Sequence, residues 1–314
     1  MGAKVYQTLV RESKNISNEG QGSIFMAATD EPRREHPSTY FVQDRSNKDE
    51  LSRLRIQDQN ITASMGGVLP EQPDPSFFHR VLDVGCGSGS WVIEAARTYP
   101  DTSVFGIDIS QSMIEYARQQ AIAQGVSDRV EFRVMDALRM LEFPANFFNL
   151  VNLRLSARFM RKWDWPKMLS ELQRMTYPGG IIRVTESNII HQSNSPAVTE
   201  LYEMFQCALA KAGHLFEPKT TGITSHLMPL FIQHGIQQVQ TKVYSLEYQA
   251  GTSQTQEYCE NLRYFFRTTR PFIQKWGCLS ENYDAIYKQA LDEMQQKDFH
   301  SVWTLLTVWG EKSS

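Results

Sequence analysis

The sequence predicts a protein of the α/β class, with a mostly parallel sheet covered by helices on both faces. Three observations carry this. From Arg80 onward, short runs rich in Val and Ile alternate with amphipathic helical stretches, the rhythm that crossover helices impose on a parallel sheet. The strand pattern Val81-Leu82-Asp83-Val84 then runs directly into Gly85, Gly87 and Gly89 and on into a helix. Finally, 314 residues with 41% hydrophobic and 21% charged side chains suit one large domain with additions and an ordinary globular core.

Taken in order, residues 1–38 are polar with little periodicity and predict a mobile N-terminal arm. Residues 39–75 predict a helical segment and linker. Leu51, Leu54 and Ile61 are spaced for one buried face, Gly66-Gly67 stops the helix, and Pro70 to Pro75 leads into the main domain. Residues 76–250 form that domain, with predicted strands at residues 80–84, 103–107, 130–134, 150–153, 180–185 and 237–248; residues 300–314 return a last strand at 301–309. Two connections exceed an ordinary crossover: residues 187–236, with a predicted helix from Pro196 to Ala212, and the helical insertion at 251–299.

Composition narrows the function. A net charge of -3 does not attract phosphate backbones, so no nucleic-acid partner is expected. The longest apolar runs, such as Leu227 to Ile232, fall far short of the roughly 20 residues that span a bilayer, so no membrane insertion is expected. The first residues carry no apolar signal core, and a cytoplasmic location is the expectation. Cys86, Cys207, Cys259 and Cys278 show no metal-ligand spacing and are expected to be reduced, with no zinc or other metal site.

The glycine turn is the strongest chemical signal. Only Gly permits so tight a turn and leaves no Cβ between backbone and ligand; the alternative is a glycine-rich turn with no ligand. The dinucleotide fingerprint wants its third Gly where Ser90 stands, and it offers a pyrophosphate bare N–H groups. Asp83, two positions before Gly85, is poorly placed beside such an anion. S-adenosylmethionine carries an ammonium and a sulfonium and no phosphate, and it tolerates that carboxylate. Asp108 ends the second strand 19 residues after Gly89, near the spacing at which a carboxylate meets ribose hydroxyls. Asp136-Ala137 ends the third, where an acid and a backbone amide can read an adenine edge; a helix N-cap is the alternative for Asp136.

The order Asp83 with Gly85, Gly87 and Gly89, then Asp108, Asp136-Ala137 and Pro178-Gly179-Gly180, resembles the class I S-adenosylmethionine-dependent methyltransferases from about Arg80 to Glu186. The resemblance implies a Rossmann-like sheet of seven strands with the last antiparallel, the glycine loop along the methionine part of the cofactor, and Asp108 on its ribose. Residues 50–57 resemble the helix that precedes the domain in the branch including fungal secondary-metabolism methyltransferases. The expected cofactor set is Asp83, Gly85, Gly87, Gly89, Asp108, Ile109, Met113, Asp136, Ala137 and Asn152, with Arg53 as a fork for the cofactor's carboxylate. Where many relatives have Asp before the fourth strand this chain has Asn149, which receives no catalytic role.

Methyl transfer is an in-line displacement at an already activated carbon, so alignment in a dry site does most of the work. A base is needed only if the acceptor loses a proton. Glu186 and His191, near the carboxyl ends of the strands, are the candidates, each with a plain surface or loop reading beside it. Phe265, Phe266 and Trp276, within the 251–299 insertion, are expected to contact the acceptor beneath a helical lid, or to form the insertion's own core. The expected partner is a small, natural-product-like acceptor, and a homodimer is left open. The alternatives are an S-adenosylmethionine-binding regulator, a non-methylating enzyme, and a protein or RNA methyltransferase.

Overall fold

A computed structural model describes residues 48–217 and 222–313. The expected N-terminal arm and residues 39–47 lie outside the described residues. Helix α1 (Lys48–Ser64) places Ile61 in a helical core, and Gly66 and Gly67, both at positive φ, end the segment.

Strands β1 (Arg80–Val84), β2 (Ser103–Asp108), β3 (Val130–Val134), β4 (Phe148–Arg154) and β5 (Thr176–Ser187) pair in parallel in the order β3-β2-β1-β4-β5. Between them run α2 (Ser90–Thr98), α3 (Gln111–Ala123) and α4 (Trp165–Met175). Because successive strand side chains point to opposite faces, Val81 enters the core on one face of the sheet and Leu82 and Val84 the core on the other. Helix α4 buries Trp165, Met168, Leu169, Leu172 and Met175, one face at helical spacing, against the second of these cores.

After β5 come β6 (Gln192–Ser193), α5 (Pro196–Lys211), α6 (Thr224–Gln233), β7 (Gln237–Gln249), α7 (Ser253–Lys275), α8 (Tyr283–Glu293) and β8 (His300–Glu311). Strand β8 is antiparallel to β5 and β7, as expected of the last strand. The sheet has eight strands and not seven, because β6 continues the β5 side of β8 while β7 covers its other edge. The 251–299 insertion becomes α7 and α8, which join α5, α1 and the β7–β8 pair in a separate core around Tyr202, Phe266 and Phe299.

The expectation of four reduced cysteines is overturned. Cys207 on α5 and Cys278 after α7 are joined as a disulfide, with Cα atoms 6.0 Å apart across a separation of 71 residues. Folding of α7 against α5 creates that proximity, which the spacing in sequence does not reveal. Cys86 and Cys259 are free and buried. Among the described residues no helix is long and apolar enough to cross a membrane, and no group of three His, Cys, Asp or Glu residues is placed to hold a metal ion.

Candidate functional site

Gly85, Gly87 and Gly89 all adopt positive φ (73°, 52° and 75°), where a side chain is strained. Their roles differ. A Cβ at Gly87 would meet nothing within 4 Å, so the backbone there borders open space. A Cβ at Gly89 would lie 2.7 Å from the Ala117 side chain and 2.8 Å from the Phe132 ring; this glycine lets α2 start close to α3 and β3. Gly85 and Gly87 line a first cavity together with Asp83, Asp108, Ile109, Met113, Asp136 and Ala137. Gly89 and Asn152 are not among its lining residues.

The carboxylates of this cavity are individually fixed. Asp108 accepts from the Gly87 N–H (3.1 Å) and the Ser110 N–H (2.8 Å), coupling the end of β2 to the glycine turn. Asp136 accepts from the Leu138 N–H at 2.9 Å, so the turn-capping and cavity-lining roles coincide in one residue. Asp83 is 2% exposed, and burial pushes its carboxyl up to about 7 against the opposing pull of Arg154. Asn152 acts behind the cavity wall, a correction to its expected ligand role: its amide donates to Asp83 (2.8 Å) and accepts from Arg183 (2.8 Å). Arg183 pairs with Glu71 of the linker in a buried ion pair, and the Tyr244 hydroxyl donates to Glu71. Asn149 accepts from the Arg80 N–H and buttresses β1.

Arg53 falls on α1, but its side chain lies outside the described residues. A different arginine lines this cavity. Arg154, at the end of β4, pairs with Asp58 of α1 at 2.6 Å and stands 5.5 Å over the Trp91 ring. Its Nε is buried with no hydrogen-bond partner. The available signal was position, since a charged residue closing an apolar strand faces the rim where ligands bind in open α/β sheets.

A second cavity adjoins the first, and Gln57 and Arg158, hydrogen-bonded at 3.2 Å, line both. Glu186 lines it and is 1% exposed. Its Oε1 accepts from the Ser156 N–H (2.6 Å), the Ser156 hydroxyl (2.6 Å) and the Ala157 N–H (3.1 Å). Leu155, a non-glycine residue at φ 51°, makes the turn that presents these donors, a backbone conformation costing about 1–3 kcal/mol that surrounding packing must sustain. Burial raises the Glu186 carboxyl to about 7 although these hydrogen bonds oppose the rise. His191 also lines the cavity, and burial holds it well below its usual range, hence neutral.

Of the three expected aromatic contacts, the structure brings only Phe265 to this cavity, where it meets Phe205 edge-on at 5.0 Å. Phe266 is fully buried in the helical core against Tyr202, and Trp276 caps α7 beside Phe272. Helical periodicity is the reason: α7 turns one side toward the cavity through Tyr258, Asn261, Leu262 and Phe265, three to four residues apart, and this leaves Phe266 on the side that faces the helical core.

Residues 81–180 match the family described as a methyltransferase domain. This is a class I S-adenosylmethionine-dependent methyltransferase domain. The chain is 36% identical over 101 residues to a demethylmenaquinone methyltransferase of Symbiobacterium thermophilum, covering 32% of this chain and 39% of that protein. It is 33% identical over 133 residues to a 27-O-demethylrifamycin SV methyltransferase of Amycolatopsis mediterranei, covering 42% and 46%. In both cases the match spans less than half of the relative's length. The crystal structure of the YcgJ protein from Bacillus subtilis shares the fold, with a TM-score of 0.51 at 18% identity over 80% of this chain and 99% of that one. The matched methyltransferase domain contains the glycine turn, Asp108 and Asp136, but ends before Glu186 and His191.

Proposed function

We propose that the chain transfers the methyl group of S-adenosylmethionine to a hydroxyl of an apolar small molecule held in the second cavity. The observation that carries this is the junction of the two cavities across Gln57 and Arg158, with a glycine and carboxylate cradle on one side and a buried carboxyl on the other.

The first cavity fits S-adenosylmethionine. Asp83 and Asp58 are opposite in charge to its ammonium, Asp108 can accept from ribose hydroxyls, and the unpaired Arg154 Nε–H suits its carboxylate. When bound, that molecule supplies an electrophilic methyl group on a sulfonium. Glu186 then receives the proton of the acceptor hydroxyl, and with a carboxyl raised to about 7 it is a stronger base than an ordinary glutamate. Its Oε1 is held by Ser156 and Ala157, which fixes the direction of Oε2. Phe205, Leu209 and Phe265 keep the acceptor end apolar and exclude water. His191, neutral and bonded through Nδ1, is not needed for this proton transfer. Helix α7 serves as the lid through Tyr258, Asn261 and Phe265.

The relatives named for menaquinone and rifamycin methylation support a small, natural-product-like acceptor. The test is transfer of labelled methyl from S-adenosylmethionine into metabolite, RNA and protein fractions. Label confined to an organic-extractable metabolite supports the reading. Label in RNA or protein, or no label despite cofactor binding, removes it.

A further inference from the structure

Six buried side-chain nitrogens among the described residues lack a hydrogen-bond partner. Arg154 Nε belongs to a residue lining the first cavity, and Trp303 Nε1 to one lining the second. An unpaired indole N–H is costly to bury. Trp303 is only 3% exposed, and its ring stacks on His191 with centroids 4.8 Å apart at 24°.

The surrounding hydroxyls assign the tautomer of His191. Ser301 donates its one proton to the Gln192 carbonyl (3.1 Å), so in the 2.8 Å contact between Tyr258 and Ser301 the phenol must donate. Tyr258 then has no proton left for His191, 2.8 Å away, and the proton in that contact comes from Nδ1. The Tyr202 hydroxyl lies 2.9 Å from the same nitrogen but also hydrogen-bonds Tyr258, whose proton is already given to Ser301, so Tyr202 donates there and has none left for Nδ1. In a neutral ring with its proton on Nδ1, Nε2 carries the lone pair. Two residues whose rings stack and that both line the cavity thus carry an unpaired donor, Trp303 Nε1–H, and an acceptor, His191 Nε2.

A hydroxyl group satisfies both: its oxygen accepts from Trp303 and its proton goes to His191. A ketone or ether leaves the histidine unpaired, and a carboxylate sets lone pairs against Nε2. The pair is also remote from the reacting end. Glu186 pairs with Leu306 on β8, three residues beyond Trp303, which is about 10 Å at the rise of a strand. Neither His191 nor Trp303 lines the cofactor cavity.

We propose that Trp303 and His191 read a second hydroxyl of the acceptor, so that the substrate class is an apolar molecule bearing two hydroxyls, one methylated at Glu186 and one recognised by this pair. The inference rests on the methyl-transfer reading but is tested without cofactor. The 15N-labelled protein is titrated with phenol, anisole and toluene while the Trp303 indole N–H resonance, identified by its loss in Trp303→Phe, is followed. Phenol should shift that resonance downfield and bind more tightly than anisole or toluene. Trp303→Phe, which keeps the ring stack, should weaken phenol by about 2- to 12-fold, the worth of one neutral hydrogen bond, and leave toluene unchanged. Equal affinity for the three probes, an unmoved indole resonance, or unchanged phenol affinity in the variant overturns the proposal. Should the variant not fold, the wild-type shift and probe order decide alone. Loss of labelled-methyl transfer with the phenol response intact would remove the enzymatic reading and keep the recognition pair.

Discussion

Replacing Glu186 by Gln should separate stability from activity, in opposite directions. The carboxyl is fully buried and raised from 4.5 to about 7, which corresponds to about 3 kcal/mol of differential stabilisation of its protonated form. Its folded-state pKa lies above the unfolded one, so its favourable contribution is complete below about pH 4.5 and is lost as pH rises to about 7. Gln keeps an oxygen for the Ser156 and Ala157 donors and cannot ionise. The variant should therefore match wild type near pH 4, gain about 1.4 kcal/mol per pH unit between the two pKa values, and level off about 3 kcal/mol more stable at pH 8. Urea unfolding at pH 4, 6 and 8 measures this; Asp83, which titrates in the same range, is common to both proteins and cancels in the difference. Methyl transfer to a hydroxyl acceptor should meanwhile fall about 10²- to 10⁴-fold with cofactor affinity unchanged. A stability difference that is flat with pH, or an unstable variant at pH 8, would refute the burial argument; undiminished turnover would refute the base.

Three further outcomes are expected. Asp108→Ala removes an acceptor for ribose hydroxyls and the brace on the Gly87 and Ser110 amides; calorimetry with S-adenosylhomocysteine should show a loss of about 10- to 100-fold, and unchanged affinity in a folded variant takes the residue out of the site. Gly89→Ala places a Cβ 2.7 Å from Ala117 at a φ of 75°, so it should lower stability by about 1–3 kcal/mol; a melting temperature equal to wild type contradicts the packing role. Reducing the Cys207–Cys278 bridge, which closes a 71-residue separation, should cost up to about 4 kcal/mol by the chain-entropy estimate; intact mass without reductant shows whether the bond forms, and a free-thiol protein of equal stability counts against it.

The amino-acid pattern by itself determined the α/β class, the parallel strands and the glycine turn, because these depend on local chemistry: period-two burial, helix amphipathicity and the conformations open to glycine. The position of Asp108 and Asp136 on the first cavity follows from the same local pattern, since Asp108 ends β2 and Asp136 comes two residues after β3. Asn152 shared that signal and yet lies behind the wall, since its side chain faces Asp83 and Arg183 across neighbouring strands. What only the tertiary structure decided is everything assembled from distant segments. Arg154 meets Asp58 of the N-terminal helix, Glu71 of the linker finds Arg183, and Cys207 finds Cys278. The choice of Phe265 over Phe266 turned on the rotation of α7 about its axis, and the Trp303–His191 pair on the register of β8 beside β6. Such contacts are set by packing between elements, and sequence spacing carries no record of which faces will meet.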